Sequence, residues 1–588
     1  MTGTTKFSDL PNNTNAKWWK DHGMRISFVH IITLYCAVYS LGYDGSLLNG
    51  LQALTEWNKD FGAPKGTKLG LIAASYYLPK IPFTFVIAWM VDRYGRKLGL
   101  VADHHIIVHY VGALFMFAGA LLGGFCHSVS QLVGSRILLG IGTAAAQVTA
   151  AALVPELAHP RIRHYAGGFL NTTYYIGSIF SAWLTFAMVY YPGTSSWSWR
   201  VPTLVQGFGP LLLGAGAYFI PQSPRWLVKK GRVEEAHKIL ATYHANGKMD
   251  DELVLLEMRE IKASVELEKV PEEASWLAWL HTRGNLRRFF VIIILGTATQ
   301  WVGNGVVQYY LVPVLKTVGV TRPAQTTGVN GGLAIWNWSI SMSGASLVER
   351  FGRRPLFLTS IIGMFASFGM ILGLAGGYNR NHHSATGIAM IPFLFIFMGF
   401  YSLALTPLPM LYVPEICPLA LRAKAAALLL LAQNCAQSFN QFANPVALSA
   451  ISWKYYAVYV GVDLVYIALF WYMIRETKGL TTEALPHAYS PSQLSNGCGE
   501  ERDATCSGNK GILMSRDISP IFGDVKRSLI REFLCSSSLL FCLSAQRQGV
   551  FQCYSFFRHL QAEPLFVKRP AASTEFSAVD MKISFPIR

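Results

Sequence analysis

Charge is what this chain has least of. Only 14% of its 588 residues are charged, while 52% are hydrophobic; a soluble protein carries about a quarter charged residues. Apolar runs recur along the chain, and most reach the roughly 20 residues that span a hydrocarbon core. Together these features exclude a soluble enzyme, a disulfide-stapled secreted domain and a disordered chain. Cysteine is sparse too. The nine cysteines include no Cys-x-x-Cys pair, so neither a structural zinc nor a dithiol redox site is expected. Residues 1–25 are polar and lack the apolar core of a signal peptide, so the first spanning helix is expected to direct insertion. Acidic residues number 33 against 50 Lys and Arg, a net charge of +17. The excess is scattered through short loops, the pattern that orients membrane proteins, so no nucleic acid partner is expected. Gly140-Ile141-Gly142 follows no strand and no further glycine completes it, so no nucleotide loop is expected either.

Twelve spans are expected, at about 26–49, 69–90, 98–124, 130–154, 164–189, 200–220, 289–314, 325–348, 355–377, 387–413, 423–448 and 454–474. An even number puts both termini on one side. The terminal segments and the loops on that side carry roughly twice the Lys and Arg of the other side, which makes it cytoplasmic. The charged, helix-compatible stretch 222–288 reads as a cytosolic helical insert between an N-terminal half (26–221) and a C-terminal half (289–486). Residues 1–25 form a cytosolic N-terminal segment. The two halves repeat each other. Asp92-Arg93-Tyr94-Gly95-Arg96-Lys97 after span two matches Glu349-Arg350-Phe351-Gly352-Arg353-Arg354 after span eight. Pro155-Glu156 with Arg163 matches Pro414-Glu415 with Arg422 at nearly the same offset. Two independent motifs in register indicate internal duplication, and a duplicated twelve-span bundle implies alternating access around a site near the midplane.

Two groups of charges follow from this layout. Asp44 falls late in span one, which runs outward, and Arg136 early in span four, which runs inward. Both lie in the outer half, where an unpaired charge is costly, so they are expected to meet. Such a pair is either a proton-coupling site, Asp44 protonating when the pair separates, or a static structural ion pair. At the cytoplasmic ends, Asp92, Arg96, Glu156 and Arg163 of one half face Glu349, Arg353, Glu415 and Arg422 of the other as an expected gate, shut by salt bridges in one state and open in the other. Pro407 and Pro409 are expected to loosen span ten, each removing a backbone donor.

At this point the residues resemble a family. The two acid-Arg-x-Gly-Arg-basic loops, the two Glu-x6-Arg loops, Pro221-Gln222-Ser223-Pro224-Arg225 and Glu476-Thr477-Lys478-Gly479 are similar to those of the sugar porters of the major facilitator superfamily. Gly42-Tyr43-Asp44-Gly45-Ser46, Gln300-Trp301-Val302-Gly303-Asn304-Gly305 and Asn440-Gln441-Phe442-Ala443-Asn444-Pro445 resemble the fungal lactose permease and cellodextrin transporter branch. The resemblance implies an all-α membrane protein of the major facilitator fold, twelve transmembrane helices in two six-helix halves, importing a sugar across the plasma membrane. It implies proton symport through Asp44 and Arg136, because the family's proton-coupled porters carry Asp and Arg at the matching positions. Substrate contacts are implied for Asn171, Gln300, Tyr309, Tyr310, Asn337 and Gln433, with Asn304 as an adjacent amide. Asn and Gln offer donor and acceptor together, which suits neutral sugar hydroxyls; each is also able to make a plain interhelical hydrogen bond. No cofactor is expected, the proton gradient supplying the energy, and the expected partners are a sugar, a proton and the lipid bilayer, with the protein monomeric. Departures are Gln222 where the family has Glu, Ala88 where its loop motif begins with Gly, and the polar residues Lys80, Asp103, His104, His105 and His109. The rivals are a facilitator, a sugar sensor signalling through the tail, and a non-functional copy. Residues 487–588 do not share the resemblance and read either as a disordered cytosolic tail or as translated sequence foreign to the functional protein.

Overall fold

A chain crossing hydrocarbon must satisfy its backbone N–H and C=O groups within itself, which a helix does. The computed structural model describes residues 13, 15, 18–94, 108–191, 195–267, 276–316, 319–418 and 421–478. Among these, all regular structure is helical. The N-terminal half contains α1 (His22–Ala53), α2 (Thr55–Asp60), α3 (Gly66–Ala74), α4 (Lys80–Tyr94), α5 (Val108–Gly124), α6 (Val129–Leu157), α7 (Arg163–Val189), α8 (Trp197–Val205) and α9 (Phe208–Ala217). Then come α10 (Pro224–Lys229), α11 (Val233–His244), α12 (Glu252–Leu267) and α13 (Ala278–His281). The C-terminal half contains α14 (Arg283–Trp301), α15 (Asn304–Tyr309), α16 (Leu311–Lys316), α17 (Pro323–Phe351), α18 (Arg353–Asn381), α19 (Ser384–Ala404), α20 (Leu408–Ile416), α21 (Arg422–Ile451) and α22 (Tyr455–Met473). Among the described residues, five helical stretches are long and apolar enough to cross a membrane by length and composition. Of the remaining expected spans, two, six and seven are broken into shorter helices, five and eight (α7 and α17) carry amides such as Asn171, Asn330 and Asn337, and span three is described only from Val108, as α5.

The packing repeats as the motifs do. Within the halves, α1 packs on α7, α5 on α6 and α18 on α19. The halves meet through α7 against α17 and α3 against α21. In span numbers these seams are five with eight and two with eleven. Exchanging the halves turns one seam into the other, as an approximate twofold relation between repeats requires.

Helix α11 shows how the segment between the halves holds itself together. Its buried positions Ala236, Leu240, Ala241 and His244 recur at three- and four-residue spacing, giving one apolar stripe. Ala236, Leu240 and Ala241 form a small separate core with Leu227, Ala245, Val254 and Met258. Ser223 caps α10 by accepting from Trp226 N–H, with Pro224 in the first turn.

The turn from α17 into α18 rests on Gly352, whose φ is 88°. Beyond α22, Glu476 folds back and caps α18: Oε1 accepts Arg353 N–H at 2.9 Å and Oε2 accepts Arg354 N–H at 3.0 Å. Partial burial alone would raise this carboxyl, but the backbone donors outweigh it and hold Glu476 below its ordinary value. A Cβ on Gly352 would stand 2.6 Å from Glu476 Oε2. Gly352→Ala is therefore expected to cost about 1–3 kcal/mol, measured as a lower Tm of the detergent-purified protein; an unchanged Tm refutes it.

Candidate functional site

Broken helices point side chains into the bundle interior, because a break frees the chain to turn where a continuous helix cannot. Residues 75–79 separate α3 from α4, Gly303 with φ 89° opens α15, and Leu405 to Pro407 separate α19 from α20. The last break falls at Pro407, one of the two prolines expected to loosen that span.

Near the first break lies a buried charged cluster. Asp44 is 3% exposed, Arg136 4% and Lys80 1%. Arg136 and Lys80 both lie within electrostatic reach of Asp44. The direct hydrogen bond to Asp44 Oδ1 is donated by Gln206 Nε2, from the linker between α8 and α9. The expected Asp44–Arg136 neighbourhood thus exists, but the hydrogen bond to the carboxylate comes from an amide. Neither Gln206 nor the part of Lys80 in this cluster was legible beforehand; Lys80 stood out only as a misplaced charge.

The amides and tyrosines expected to touch sugar divide. Tyr309 sits beside Tyr174, with hydroxyls 3.4 Å apart, and Gln308 Nε2 donates to the Tyr174 hydroxyl at 2.6 Å. Gln300 and Gln433 are half-buried, and their Nε2 atoms share Thr299 Oγ1 at 3.3 and 3.2 Å. Asn304 and Asn337 are buried, and among the described residues their Oδ1 atoms have no hydrogen-bond partner, so each retains acceptor capacity. Asn171 is half-buried on α7. Tyr310 is different: its hydroxyl donates to Gln441 O and Oε1 at 2.7 and 2.9 Å, binding α21. Additional polar residues bridge the halves. The Tyr175 hydroxyl lies 3.0 Å from both Ser402 Oγ and Thr406 Oγ1. Asn49 Nδ2 donates to Asn330 Oδ1 at 3.0 Å, and its Oδ1 accepts Leu311 N–H at 3.1 Å. Gln52 Nε2 donates to Tyr309 O at 3.1 Å. Asn49 and Gln52 stand near the end of α1 far from the insert.

At the opposite end, the expected gate residues take nearby partners. Arg163 pairs with Glu257 of α12 at 2.7 Å. Arg353 pairs with Glu415 at 2.8 Å, within one half, and Thr477 Oγ1 donates to the same carboxylate at 2.6 Å. Arg422 Nε donates to Cys417 O at 3.3 Å. Glu156 lines a small cavity with Ser27, His30 and His244. The side chains of Asp92, Glu349 and His109, and residues Arg96, Asp103, His104 and His105, lie outside the described residues, as does the tail 487–588.

Glu257 is also held by His244, with Nδ1 2.6 Å from Oε2, and His159 meets the His244 ring edge-on at 5.3 Å between centroids. Burial would raise Glu257, but His244, Arg163 and His159 outweigh it and keep it below the ordinary glutamate value. Burial, then the neighbouring His244, pushes His159 down to about 4. An unfolded histidine takes its proton near pH 6.5. The His159 contribution is therefore complete above about pH 6.5 and is lost as pH falls toward 4; that of Glu257 goes as pH falls through its own lowered value. Hydrogen exchange in α11 is expected to rise between pH 7.5 and 5, after correction for intrinsic rates. Constant protection across that range contradicts the assignment.

The comparisons with known proteins agree with this architecture. Residues 29–489 match the family described as sugar (and other) transporter. The chain is 28% identical over 468 residues to the low-affinity glucose transporter HXT4 of Saccharomyces cerevisiae, covering 76% of this chain and 77% of that one. It is 26% identical over 473 residues to the MFS-type transporter oryC of Aspergillus oryzae, covering 78% and 85%. Its fold is similar to that of the proton:xylose symporter XylE bound to 6-bromo-6-deoxy-D-glucose, with a TM-score of 0.64 at 22% identity over 80% of this chain and 100% of that one. An inward-open form of XylE from E. coli gives a TM-score of 0.63 at 22% identity, covering 79% and 100%. With the family match spanning most of the chain and the helical halves packed as a repeated pair, the protein belongs to the sugar transporter family of the major facilitator superfamily, a membrane porter of sugars and not an enzyme.

Proposed function

We propose that this porter imports a neutral mono- or disaccharide across the plasma membrane by alternating access, driven by a proton that Asp44 carries beside Arg136. The observation that carries the reading is the burial of Asp44 and Arg136 in one cluster inside the bundle. A carboxylate enclosed there needs compensation, and one that exchanges its partner for a proton couples two states. Gln300, Gln433, Asn304, Asn337 and Tyr309 supply donors and acceptors without a counter-charge, which suits an uncharged polyol. Tyr310 acts through packing rather than contact. Both termini and the insert lie in the cytoplasm, as the Lys and Arg distribution supports, and the protein works as a monomer with no cofactor. Arg353 with Glu415, and Arg163 with Glu257, brace the cytoplasmic ends of each half.

The motifs around Asp44, Gln300 and Asn440 support the fungal lactose permease and cellodextrin branch. The names of the relatives put hexoses and pentoses on the same trial panel. Facilitation is the second reading, because Gln206 rather than Arg136 donates directly to Asp44. Uptake of radiolabelled glucose, xylose, lactose and cellobiose in transporter-deleted yeast, with external pH recorded, tests the proposal. Sugar-dependent alkalinisation with accumulation supports it; downhill flux without proton movement selects the facilitator; no flux with the protein at the surface overturns it.

A further inference from the structure

Lys80 opens α4 immediately after the break in span two. Its ammonium sits 3.9 Å from the Tyr76 ring centroid and 4.9 Å from that of Tyr77, and it is 1% exposed. This is a built seat for a cation, since ring faces stabilise a desolvated ammonium. The seat is held against α6 by a close approach: a Cβ on Gly140 would overlap the Tyr76 carbonyl oxygen and stand 2.9 Å from Pro79 Cγ. Arg136 lies one turn before Gly140, on the same face of α6. Around Lys80, α1 supplies Asp44, the turn supplies Tyr76 and Tyr77, and α15 supplies Tyr309 beside Tyr77 at 6.2 Å between ring centroids; α6 supplies Arg136 to the same Asp44. One carboxylate therefore faces two buried cations. Through Tyr77 and Tyr309 the same cluster adjoins the Tyr174–Gln308 hydrogen bond.

Building on the proton-coupled reading, we propose that Lys80 is a third member of the coupling site, a positioning residue that shares Asp44 with Arg136 and thereby sets the external pH range over which sugar uptake is driven. Two cations oppose protonation of the carboxylate more strongly than one. Lys80 also ties that choice to Tyr309, one of the candidate sugar contacts, because the Tyr77 ring meets both its ammonium and the Tyr309 ring.

The test is the pH profile of sugar uptake, normalised to surface amount, for wild type, Lys80→Met, Lys80→Arg and Asp44→Asn. Lys80→Met is expected to move the half-maximal pH upward by about one unit or more, because Asp44 then takes its proton at lower proton concentration. Lys80→Arg keeps the charge and is expected to stay near wild type. Should the methionine variant fail to reach the surface, Lys80→Gln carries the same expectation with a polar head retained over Tyr76. A half-maximal pH unchanged in the neutral variants, with Asp44→Asn flat and wild type pH-dependent, overturns the role of Lys80 while leaving proton coupling intact. A wild type as flat as Asp44→Asn removes the coupling reading itself, and the role of Lys80 with it.

Discussion

Asp44→Asn is expected to abolish concentrative uptake while leaving downhill exchange of the same sugar in place. Asn is nearly isosteric with Asp and still accepts from Gln206 through its carbonyl oxygen, so the packing around α1, α8 and α9 is preserved. What it loses is a charge that comes and goes. A proton crossing about 100 mV supplies about 2.3 kcal/mol, enough for roughly fifty-fold accumulation of a neutral partner. Without a group to carry that proton, the ratio of internal to external sugar is expected to fall to about one. Equilibrium accumulation of a non-metabolised analogue reads this directly, and counterflow with the internal sugar preloaded reads the surviving exchange. Accumulation persisting in the variant would remove Asp44 from the coupling mechanism; loss of counterflow as well would make it structural.

Asn49→Ala is expected to open the bundle at the end remote from the insert. Asn49 makes three hydrogen bonds across the halves: to Asn330 Oδ1, to Gln308 O at 3.3 Å and from Leu311 N–H. Alanine leaves the Leu311 N–H and Asn330 Oδ1 without their Asn49 partner. A buried group stripped of its partner costs about 1–3 kcal/mol, and the cost falls only on the state in which the halves are closed there. A bias of about 2 kcal/mol changes the ratio of two states roughly thirty-fold. Spin labels at Lys59 and Arg322, on opposite halves at that end, are expected to show a longer distance becoming the major population. An unchanged distance distribution would show that the Asn49 bonds do not latch the two halves.

Much of the fold was legible without coordinates. Apolar length marks a membrane helix whatever it later packs against, because lipid imposes the same demand on every backbone group. The paired motifs at Asp92 and Glu349, and at Glu156 and Glu415, revealed the duplication through residue spacing alone. The seams of α7 with α17 and α3 with α21 are its three-dimensional counterpart. The nearness of Asp44 and Arg136 followed from the running directions of two spans.

Partner choice was not legible. Nothing in the residue order says that Gln206, rather than Arg136, donates to Asp44; that Arg163 turns to Glu257 of α12; that Tyr310 turns to α21; or that Lys80 rests on Tyr76 beside the coupling carboxylate. The sequence by itself determined the helical membrane class, the twofold repeat and the kinds of side chain available, because hydropathy and motif spacing are properties of the chain read in one dimension. The tertiary structure alone decided which side chains meet, because that depends on where residues 75–79, Gly303 and Leu405 to Pro407 interrupt the helices. A break of a few residues rotates everything beyond it, and a hydrogen bond a few ångströms long registers that rotation where hydropathy does not.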